Sequence, residues 1–568
     1  MKILLLSHAF NSLSQRLHIE LKRRGHQVSV EFDINDAVTQ QAVELFQPDL
    51  IVAPFLKRAI PETIWRHHTC LIVHPGIKGD RGPSALDWAI LRGEPEWGVT
   101  VLQANAEMDA GDIWATVNFP MRAVSKASLY RNEVTEAALQ GVLLAVERMG
   151  QESFNPEPLD YSRPDVKGCL RPLMSQADRR IDWQQDSTET VLRKIRSADG
   201  FPGVRDEILG QEVMLYDAHP AAGLRGEPGS LLGRSGQAIC RATLDGAVWI
   251  GHLRDKQGPH PFKLPAMRVL GDRVADLPEL ADGYSDIGYE ERGRVGYLHF
   301  PFYNGAMSTE QCNRLREAYV QARGRDTRVI VLMGGPDFWS NGIHLNSIEA
   351  AESPADESWA NINAINDLAR EIITTETHLT VSALRGNAGA GGVFLARAAD
   401  QVWARDGVVL NPHYKDMGNL YGSEYWTYLL PKRVGAERAR RITQGRLPMG
   451  TDEACELGLL DDHFGQDSGH FLEQLRQRAD ALAEGGDFDQ LLQRKVQARH
   501  ADELEKPLEA YRQEELERMN LNFYGFDPSY HVARYNFVYK VPKSRTPVTI
   551  AEHRDLSRRS NPDWSKAS

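Results

Sequence analysis

The sequence predicts a multidomain α/β protein, and three observations support this fold class. Over the first 150 residues, short apolar strands alternate with segments of helical apolar spacing, which is typical of an open α/β sheet. In the second half, strands such as Val295–Phe300 lead into Gly-rich turns, and the chain beyond residue 480 is helix-rich and charged. At roughly 150 residues per domain, the length of 568 residues predicts three or four domains.

The amino-acid composition of the chain limits the classes of partner that we expect it to bind. A formal net charge of -12, a pI near 5.9 and the lack of a long Lys/Arg block argue against nucleic acid and acidic membrane surfaces. The apolar run in Met1–His8 is too short for a signal peptide, and no later run reaches the ~20 residues of a membrane helix. The five cysteines are scattered and form no CxxC pair, so we expect no disulfide framework and no metal site. We therefore expect a cytoplasmic protein with small-molecule or protein partners.

The first domain is predicted over residues 1–153. Its expected elements are a strand at Ile3–Leu6, a helix at Leu13–Arg24 with an N-cap at Asn11 or Ser12, and strands at Leu50–Ala53 and Cys70–Val73. Ligands of open α/β sheets bind beyond the carboxyl ends of the strands. His74 directly follows the last of these strands, so we expect it to face a ligand.

A histidine and an aspartate in this domain predict acid–base chemistry. His74 stands in Val-His-Pro-Gly, Arg81 in Asp-Arg-Gly-Pro, and Asp109 in Met-Asp-Ala-Gly-Asp-Ile. A histidine can exchange protons with a reacting group while a carboxylate holds it in the right state. These motifs resemble the active site of folate-dependent formyltransferases. The resemblance implies that His74 and Asp109 are catalytic and that Ile72 and Arg81 lie in the 10-formyltetrahydrofolate site. Ile72 replaces the family's Asn, which removes a side-chain donor to the formyl oxygen.

A second, smaller domain is predicted over residues 167–272, after a linker at 154–166. Ile181-Asp182-Trp183, Ile195-Arg196 and Phe201–Val204 resemble the small β-barrel that is appended to formyltransferases. The resemblance suggests that Arg196 meets the ligand of the first domain. A spacer without ligand contacts is an equal alternative.

A third domain, predicted over residues 284–480, contains two turns that suit a thioester. Phe338–Ile343 and Ala388–Gly392 each follow a strand and precede a helix. The two turns resemble the oxyanion hole of the crotonase (enoyl-CoA hydratase/isomerase) family, which implies an α/β fold and coenzyme A binding. The backbone N–H groups of Ile343 and Gly391 are then the donors to the carbonyl oxygen.

The usual crotonase acids are absent from this domain. Hydratases carry glutamates at the positions of Phe394 and of His413 or Tyr414, so water addition is not expected. We expect Tyr414 and Glu424 to form an acid–base pair instead, with the roles of acid and base left open. The alternative is that Tyr414 only packs and Glu424 lies at the surface. Residues 481–556 are predicted as a helical extension whose charged residues form a solvated face, and 557–568 as a disordered tail.

The order of domains, together with the Tyr-Lys-x-Met-Gly and Gly-Ser-Glu-Tyr-Trp elements, resembles the HypX/HoxX hydrogenase maturation proteins over nearly the whole chain. This resemblance implies a bifunctional enzyme that transfers formyl from 10-formyltetrahydrofolate to coenzyme A and decarbonylates formyl-CoA. The carbon monoxide would be the ligand of [NiFe]-hydrogenase, so the hydrogenase large subunit or its maturation factors are expected protein partners. Two alternatives stay open: a non-catalytic scaffold that binds folate and CoA, and a formyl-folate hydrolase or protein-amine formyltransferase.

Overall fold

The computed structural model describes residues 1–280 and 283–559, and the chain divides into two compact units. Met1–Tyr284 and the segment from Lys543 onward form the first unit, and Ser285–Pro542 forms the second. The helical extension predicted over 481–556 is therefore divided between the units. Its residues up to 542 belong to the second unit, and those from 543 onward pack on the first.

The first unit begins with a six-stranded sheet. Its strands are β1 (Lys2–Ser7), β2 (Gln27–Phe32), β3 (Leu50–Phe55), β4 (Cys70–His74), β5 (Glu96–Gln103) and β6 (Ile113–Pro120). They lie in the order β2-β1-β3-β4-β5-β6, with β1 to β4 parallel and β5 and β6 antiparallel to their neighbours. The predicted open α/β sheet is confirmed. Because β4 ends at His74, this side chain lies at the carboxyl edge of the parallel strands.

Helices flank this sheet. They are α1 (Ser12–Arg23), α2 (Asp36–Phe46), α3 (Glu62–Trp65), α4 (Ala85–Arg92), α5 (Lys126–Leu129) and α6 (Thr135–Met149), with a π-helical turn at Tyr130–Val134 before α6. Helix α1 begins as predicted, because the side chain of Asn11 accepts a hydrogen bond from the backbone N–H of Ser14. Leu13, Leu17 and Leu21 recur at helical spacing and are buried in the core.

The first unit also contains a second, antiparallel sheet. Its strands are β7 (Val204–Ile208), β8 (Gln211–Pro220), β9 (Leu231–Ser235), β10 (Ala238–Ala242), β11 (Ala247–Arg254) and β12 (Leu264–Pro265), and its helices are α7 (Thr188–Ala198) and α8 (Ala266–Leu270). The order is β7-β8-β11-β10-β9, and β12 pairs with β11. The segment predicted as a linker, 154–166, is fixed to the first sheet, since Glu157 pairs with Ile113 and Lys78 Nζ lies 2.7 Å from Asp165.

The second unit combines a large and a small sheet. The strands are β13 (Gly288–Arg292), β14 (Val295–Phe300), β15 (Val329–Gly334), β16 (Phe338–Ser340), β17 (Leu379–Leu384), β18 (Asn387–Gly389), β19 (Gln401–Arg405), β20 (Leu410–Asn411) and β21 (Asp462–Phe464). The large sheet has the order β13-β14-β15-β17-β19-β21, and the small sheet has the order β16-β18-β20. Strands β16 and β18 of the small sheet are parallel, so the turns that follow them lie at one edge.

Helices make up the rest of the second unit. They are α9 (Thr309–Arg323), α10 (Leu345–Glu349), α11 (Pro354–Ile373), α12 (Gly391–Arg397), α13 (Trp426–Val434), α14 (Ala436–Gly445), α15 (Thr451–Leu457), α16 (Ser468–Glu484), α17 (Phe488–Glu505), α18 (Leu508–Tyr524) and α19 (Ser529–Val538). Met519 and Phe523 of α18 are buried in the core. Most charged residues of α17 and α18 are exposed or half-buried, as expected for a solvated face, and Arg499 and Glu515 are buried exceptions. In the described ranges, no helix has the length and apolar character required to cross a membrane.

The last described segment covers an edge of the first sheet. Glu31 of the edge strand β2 is fully buried, and its carboxylate lies 2.7 Å from His553 Nε2 and 2.9 Å from Arg554 Nε. The backbone N–H of Val30 donates a hydrogen bond to Ile550 O at 2.9 Å, so this donor of the edge strand has a partner. The tail predicted as disordered, 557–568, begins inside the helix α20 (Glu552–Arg559), and its residues from 560 lie outside the described ones.

Replacing His553 with alanine should loosen this edge. Removing one partner of a buried hydrogen bond to a carboxylate costs about 3 kcal/mol, so we expect backbone amides of β2 that exchange through local opening to exchange about 100-fold faster. Hydrogen–deuterium exchange of peptides from β2 measures this effect. The matched control is His500→Ala, because His500 pairs with Glu376 at the surface and should contribute little. Unchanged exchange in His553→Ala would show that the segment does not stabilise the edge.

Candidate active sites

The first site is a histidine between two carboxylates. His74 is buried, with its Nε2 3.0 Å from Asp80 Oδ1 and its Nδ1 3.6 Å from Asp109 Oδ2. Asp109 has a left-handed φ of 52°, and its carboxylate accepts a hydrogen bond from the N–H of Gly82 at 3.1 Å. The two residues predicted from the sequence motifs are therefore adjacent. Such an arrangement can hold the imidazole ring in place while it takes up or releases a proton.

Asp80 and Arg171 were not predicted as site residues. The side chain of Asp80 is fully buried, and its Oδ2 lies 3.2 Å from Arg171 Nη1, which offsets its charge. The Arg171 guanidinium also lies 5.4 Å from the centroid of the Trp97 ring. One residue of the sequence, Gly76, indicated that another group approaches His74 closely at this point. A Cβ atom at Gly76 would lie 2.5 Å from His74 Nε2 and 2.7 Å from Asp80 Oδ1, so the contact requires glycine there.

The three predicted folate-site residues occupy different environments. Ile72 lies two residues before His74 on β4, so both point to the same face, where Ile72 offers no hydrogen-bond donor. Arg81 donates from Nε to Met108 O at 2.8 Å and pairs with Glu107 at 2.6 Å, which fixes the turn that carries Asp109. Arg196 lies in the last turn of α7, where burial lowers its pKa. Within the described part of the chain, no hydrogen bond or ion pair connects its guanidinium to the His74 group.

The second site is formed where the two predicted glycine turns meet. A Cβ atom at Gly342, whose φ is 75°, would lie 3.4 Å from the backbone N of Gly391, so the two turns are in van der Waals contact. One at Gly392 would overlap the carbonyl of Ser340. The N–H groups of Ile343 and Gly391 have no hydrogen-bond acceptor among the described residues. Both are available to a carbonyl oxygen, as the sequence motifs predicted.

Tyr414 and Glu424 form a buried hydrogen-bonded pair beside these turns. The Tyr414 hydroxyl lies 2.6 Å from Glu424 Oε2 and 2.8 Å from the carbonyl oxygen of Ser423. Burial raises the pKa of Glu424 to about 7, and burial together with the Glu424 charge raises the pKa of Tyr414 well above its ordinary value. A Cβ atom at Gly391 would overlap Glu424 Oε1, so the carboxylate lies directly against the glycine turn. The pair therefore faces the place where an acyl group would bind.

Aromatic packing takes the place of the usual hydratase acid. Phe394 stacks on the Tyr414 ring with centroids 5.4 Å apart and an interplanar angle of 16°. Tyr414 thus packs and also forms hydrogen bonds, and Glu424 is buried, so the alternative that Tyr414 only packs while Glu424 lies at the surface was wrong. With an apolar ring at this position, the site lacks the second carboxylate that hydratases use to activate water.

Two further buried residues hold the backbone beside Glu424, and the sequence gave no signal for them. Asn366 Oδ1 accepts hydrogen bonds from the N–H of Glu424 at 2.8 Å and from Ser423 Oγ at 2.9 Å. Glu515 of α18 accepts hydrogen bonds from the residues on either side of Glu424. Glu515 is one acid among many in a charged helix, so its burial could not be recognised from the sequence.

Comparisons with known protein families match both units. The formyl transferase family model matches residues 2–146, and the formyl transferase C-terminal domain model matches residues 173–260. The enoyl-CoA hydratase/isomerase model matches residues 297–524. The methionyl-tRNA formyltransferase of Dechloromonas aromatica is 27% identical over 264 residues, which are 45% of this chain and 82% of that protein. Fold and sites together define a formyltransferase fused to a crotonase-like domain.

Two relatives span nearly the whole chain. The hydrogenase maturation factor HoxX of Bradyrhizobium diazoefficiens is 59% identical over 557 residues, covering 98% of this chain and 97% of that protein. The crystal structure of HypX from Aquifex aeolicus in complex with tetrahydrofolic acid has a TM-score of 0.94 and 50% identity, covering 98% and 99% of the two chains. The chain belongs to the HypX/HoxX family of hydrogenase maturation factors.

Replacing Gly391 with alanine should disrupt the second site. The added methyl group would overlap the Glu424 carboxylate, and overpacking of this kind costs about 1–3 kcal/mol. We expect a lower free energy of unfolding in denaturant titrations and a displaced Glu424 side chain in a crystal structure. The matched control is Gly445→Ala, because a Cβ atom at Gly445 meets open space. Equal stability of the two variants would contradict the close contact.

Proposed function

We propose that this protein is a cytoplasmic enzyme that makes carbon monoxide in two steps and supplies it as the ligand of [NiFe]-hydrogenase. In the first step, formyl passes from 10-formyltetrahydrofolate to coenzyme A at the His74 site. In the second, formyl-CoA is cleaved to carbon monoxide and CoA at the Glu424 site. Its protein partners are then the hydrogenase large subunit or its maturation factors. The observation that carries the proposal is the Tyr414–Glu424 pair, buried against the Gly391 turn.

The first step needs one proton to move between two groups. The CoA thiol attacks the formyl carbon, His74 accepts the thiol proton, and the same proton goes to the folate nitrogen as the carbon–nitrogen bond breaks. Asp80 and Asp109 flank the ring and stabilise its protonated form during the transfer. The tetrahydrofolic acid named for the HypX of Aquifex aeolicus supports a folate donor. Ile72 contributes no polar contact in this scheme.

The second step needs a base, an acid and two hydrogen-bond donors to the formyl oxygen. The N–H groups of Ile343 and Gly391 bind the formyl oxygen. Glu424 removes the formyl hydrogen as a proton, the carbon–sulfur bond breaks to release carbon monoxide, and Tyr414 protonates the departing thiolate. The proton on Glu424 then passes to the Tyr414 oxygen across their 2.6 Å hydrogen bond, which restores both groups. The pKa of Glu424 suits the base, and the raised pKa of Tyr414 keeps it protonated as the acid.

One assay distinguishes this function from its two alternatives. Purified protein is incubated with 10-formyltetrahydrofolate and CoA, and carbon monoxide is detected with a haem reporter. Formation of carbon monoxide that depends on both substrates supports the proposal. Loss of formyl-folate without carbon monoxide indicates a hydrolase or an amine formyltransferase. Binding of both compounds without turnover indicates a scaffold, although a scaffold has no need of a buried acid with a shifted pKa.

The His74→Ala variant tests the first step. Loss of a general acid–base group should lower formyl transfer to CoA by roughly 10²–10⁴-fold, because no other group replaces it at the formyl carbon. Consumption of 10-formyltetrahydrofolate in the presence of CoA measures the rate. His67→Ala, a change at an exposed histidine of the same domain, should retain the wild-type rate. The His74→Ala variant should still cleave formyl-CoA that is supplied directly, because only the first site is changed. If it transfers formyl at the wild-type rate, His74 is not part of the mechanism.

The Glu424→Gln and Tyr414→Phe variants test the second step. Each should preserve CoA binding and lower carbon monoxide release from supplied formyl-CoA by at least ~100-fold. In the wild-type enzyme the rate should rise as the pH increases through about 7, because Glu424 must be ionised to act as a base. Tyr535→Phe, at an exposed tyrosine of the same unit, serves as the control. A variant that releases carbon monoxide at the wild-type rate would exclude that residue, and a rate that falls through pH 7 would reverse the assigned roles.

A further inference from the structure

Helix α18 contributes a buried carboxylate to the loop that carries Glu424. The side chain of Glu515 is fully buried. Its Oε1 accepts hydrogen bonds from the N–H of Thr427 at 2.9 Å and from Thr427 Oγ1 at 2.6 Å. Its Oε2 accepts from the N–H of Tyr425 at 3.0 Å and from Ser423 Oγ at 3.3 Å. One side chain therefore holds both ends of the segment that surrounds Glu424.

This segment has an unfavourable backbone conformation. Glu424 and Tyr425 both have left-handed backbone angles, with φ of 59° and 58°. Each such residue costs of order 1 kcal/mol or more and persists only where its surroundings impose it. Helix α13 starts directly afterwards without a side-chain cap of its own. Glu515 supplies the acceptor that the N–H groups at the start of this helix need.

We propose that Glu515 is a positioning residue, which fixes the left-handed turn at Glu424 and Tyr425 and so aims the Glu424 carboxylate at Gly391. This inference rests on the proposed role of Glu424 in formyl-CoA cleavage. Asn366 holds the N–H of Glu424 from the side of α11, and Glu515 holds the following residues from the side of α18. The two contacts leave the turn little freedom to swing the carboxylate away from the glycine.

The electrostatics of Glu515 distinguish positioning from simple packing. Burial raises the pKa of Glu515 to about 8, the hydrogen bonds from Thr427 oppose this shift, and the charge of Glu424 adds to it. None of the ion pairs among the described residues involves Glu515. Hydrogen bonds from Tyr414 and from the backbone at Ser423 oppose the rise in the pKa of Glu424, and the Glu424 charge in turn raises the pKa of the buried Cys312 thiol and of Glu515. Because Glu515 has the higher pKa of the two carboxyls, it keeps its proton while Glu424 ionises, so it acts on Glu424 through contacts with the backbone rather than through charge.

The test compares Glu515→Gln with Glu517→Gln, an exposed position two residues further along α18. Formyl-CoA is supplied directly, and kcat, KM and the pH profile are measured. For Glu515→Gln we expect a kcat about 10–100-fold lower with KM within about 2-fold, because misalignment affects the proton transfer more than binding. The pH of half-maximal rate should stay close to that of the wild type, because Glu515 has the higher pKa and is still neutral where Glu424 ionises, and glutamine resembles that neutral form. Glu517→Gln should match the wild type in all three.

The outcomes separate this inference from the proposed function. A wild-type kcat in Glu515→Gln, or a lower kcat with a higher KM or a shifted pH midpoint, overturns the positioning role while leaving Glu424→Gln as the test of the chemistry. If Glu424→Gln keeps its activity, the proposed function itself fails. Should Glu515→Gln not fold, Thr427→Val removes one of the four contacts, and the same kcat loss at unchanged KM is expected on a smaller scale. Unchanged kcat in Thr427→Val then counts against the proposal.

Discussion

The second unit depends on keeping the Glu424 carboxylate out of water. With 1% of its surface exposed, this acid has its pKa raised to about 7, which a surface glutamate does not reach. Several residue choices follow from this constraint. Gly391 leaves room for the carboxylate, and Gly422, with a φ of 95°, leaves room for the Tyr414 ring. Phe394 covers that ring, so the packing that desolvates Glu424 also occupies the position where a hydratase has an acid.

The electrostatic surroundings of His74 in the first unit differ from those of Glu424. Its reactive group, His74, lies between two carboxylates, whereas Glu424 lies beside a neutral hydroxyl. The two carboxylates hold the ring from both sides, and the ion pair between Asp80 and Arg171 limits the cost of burying one of them. A proton acceptor that becomes positive during a reaction suits the His74 site. A proton acceptor that becomes neutral suits the Glu424 site.

Local sequence signals predicted the framework and part of each site. Helical and strand periodicity located β4 and therefore His74, and the motif around Asp109 identified its partner. The resemblance of the glycine turns to a crotonase oxyanion hole predicted Ile343 and Gly391 as donors, and the close approach of the two turns allows no side chain there. Asp80–Arg171 and the burial of Glu515 could not be predicted, because each depends on contacts between segments far apart in the chain. A periodic pattern shows which face of a helix or strand is apolar, but it does not show which distant residue packs on that face.

Backbone strain at both sites fits the proposed roles of their acids. Asp109 and Glu424 belong to separate units, yet both have left-handed φ angles, at 52° and 59°. Neither is a glycine, so each conformation costs free energy that a structural role in a turn would not require, since glycine or asparagine would serve it at lower cost. The left-handed backbone turns the carboxylate toward His74 in one case and toward Gly391 in the other. Strain retained where it aims a proton-transferring side chain is explained by the chemistry of that side chain.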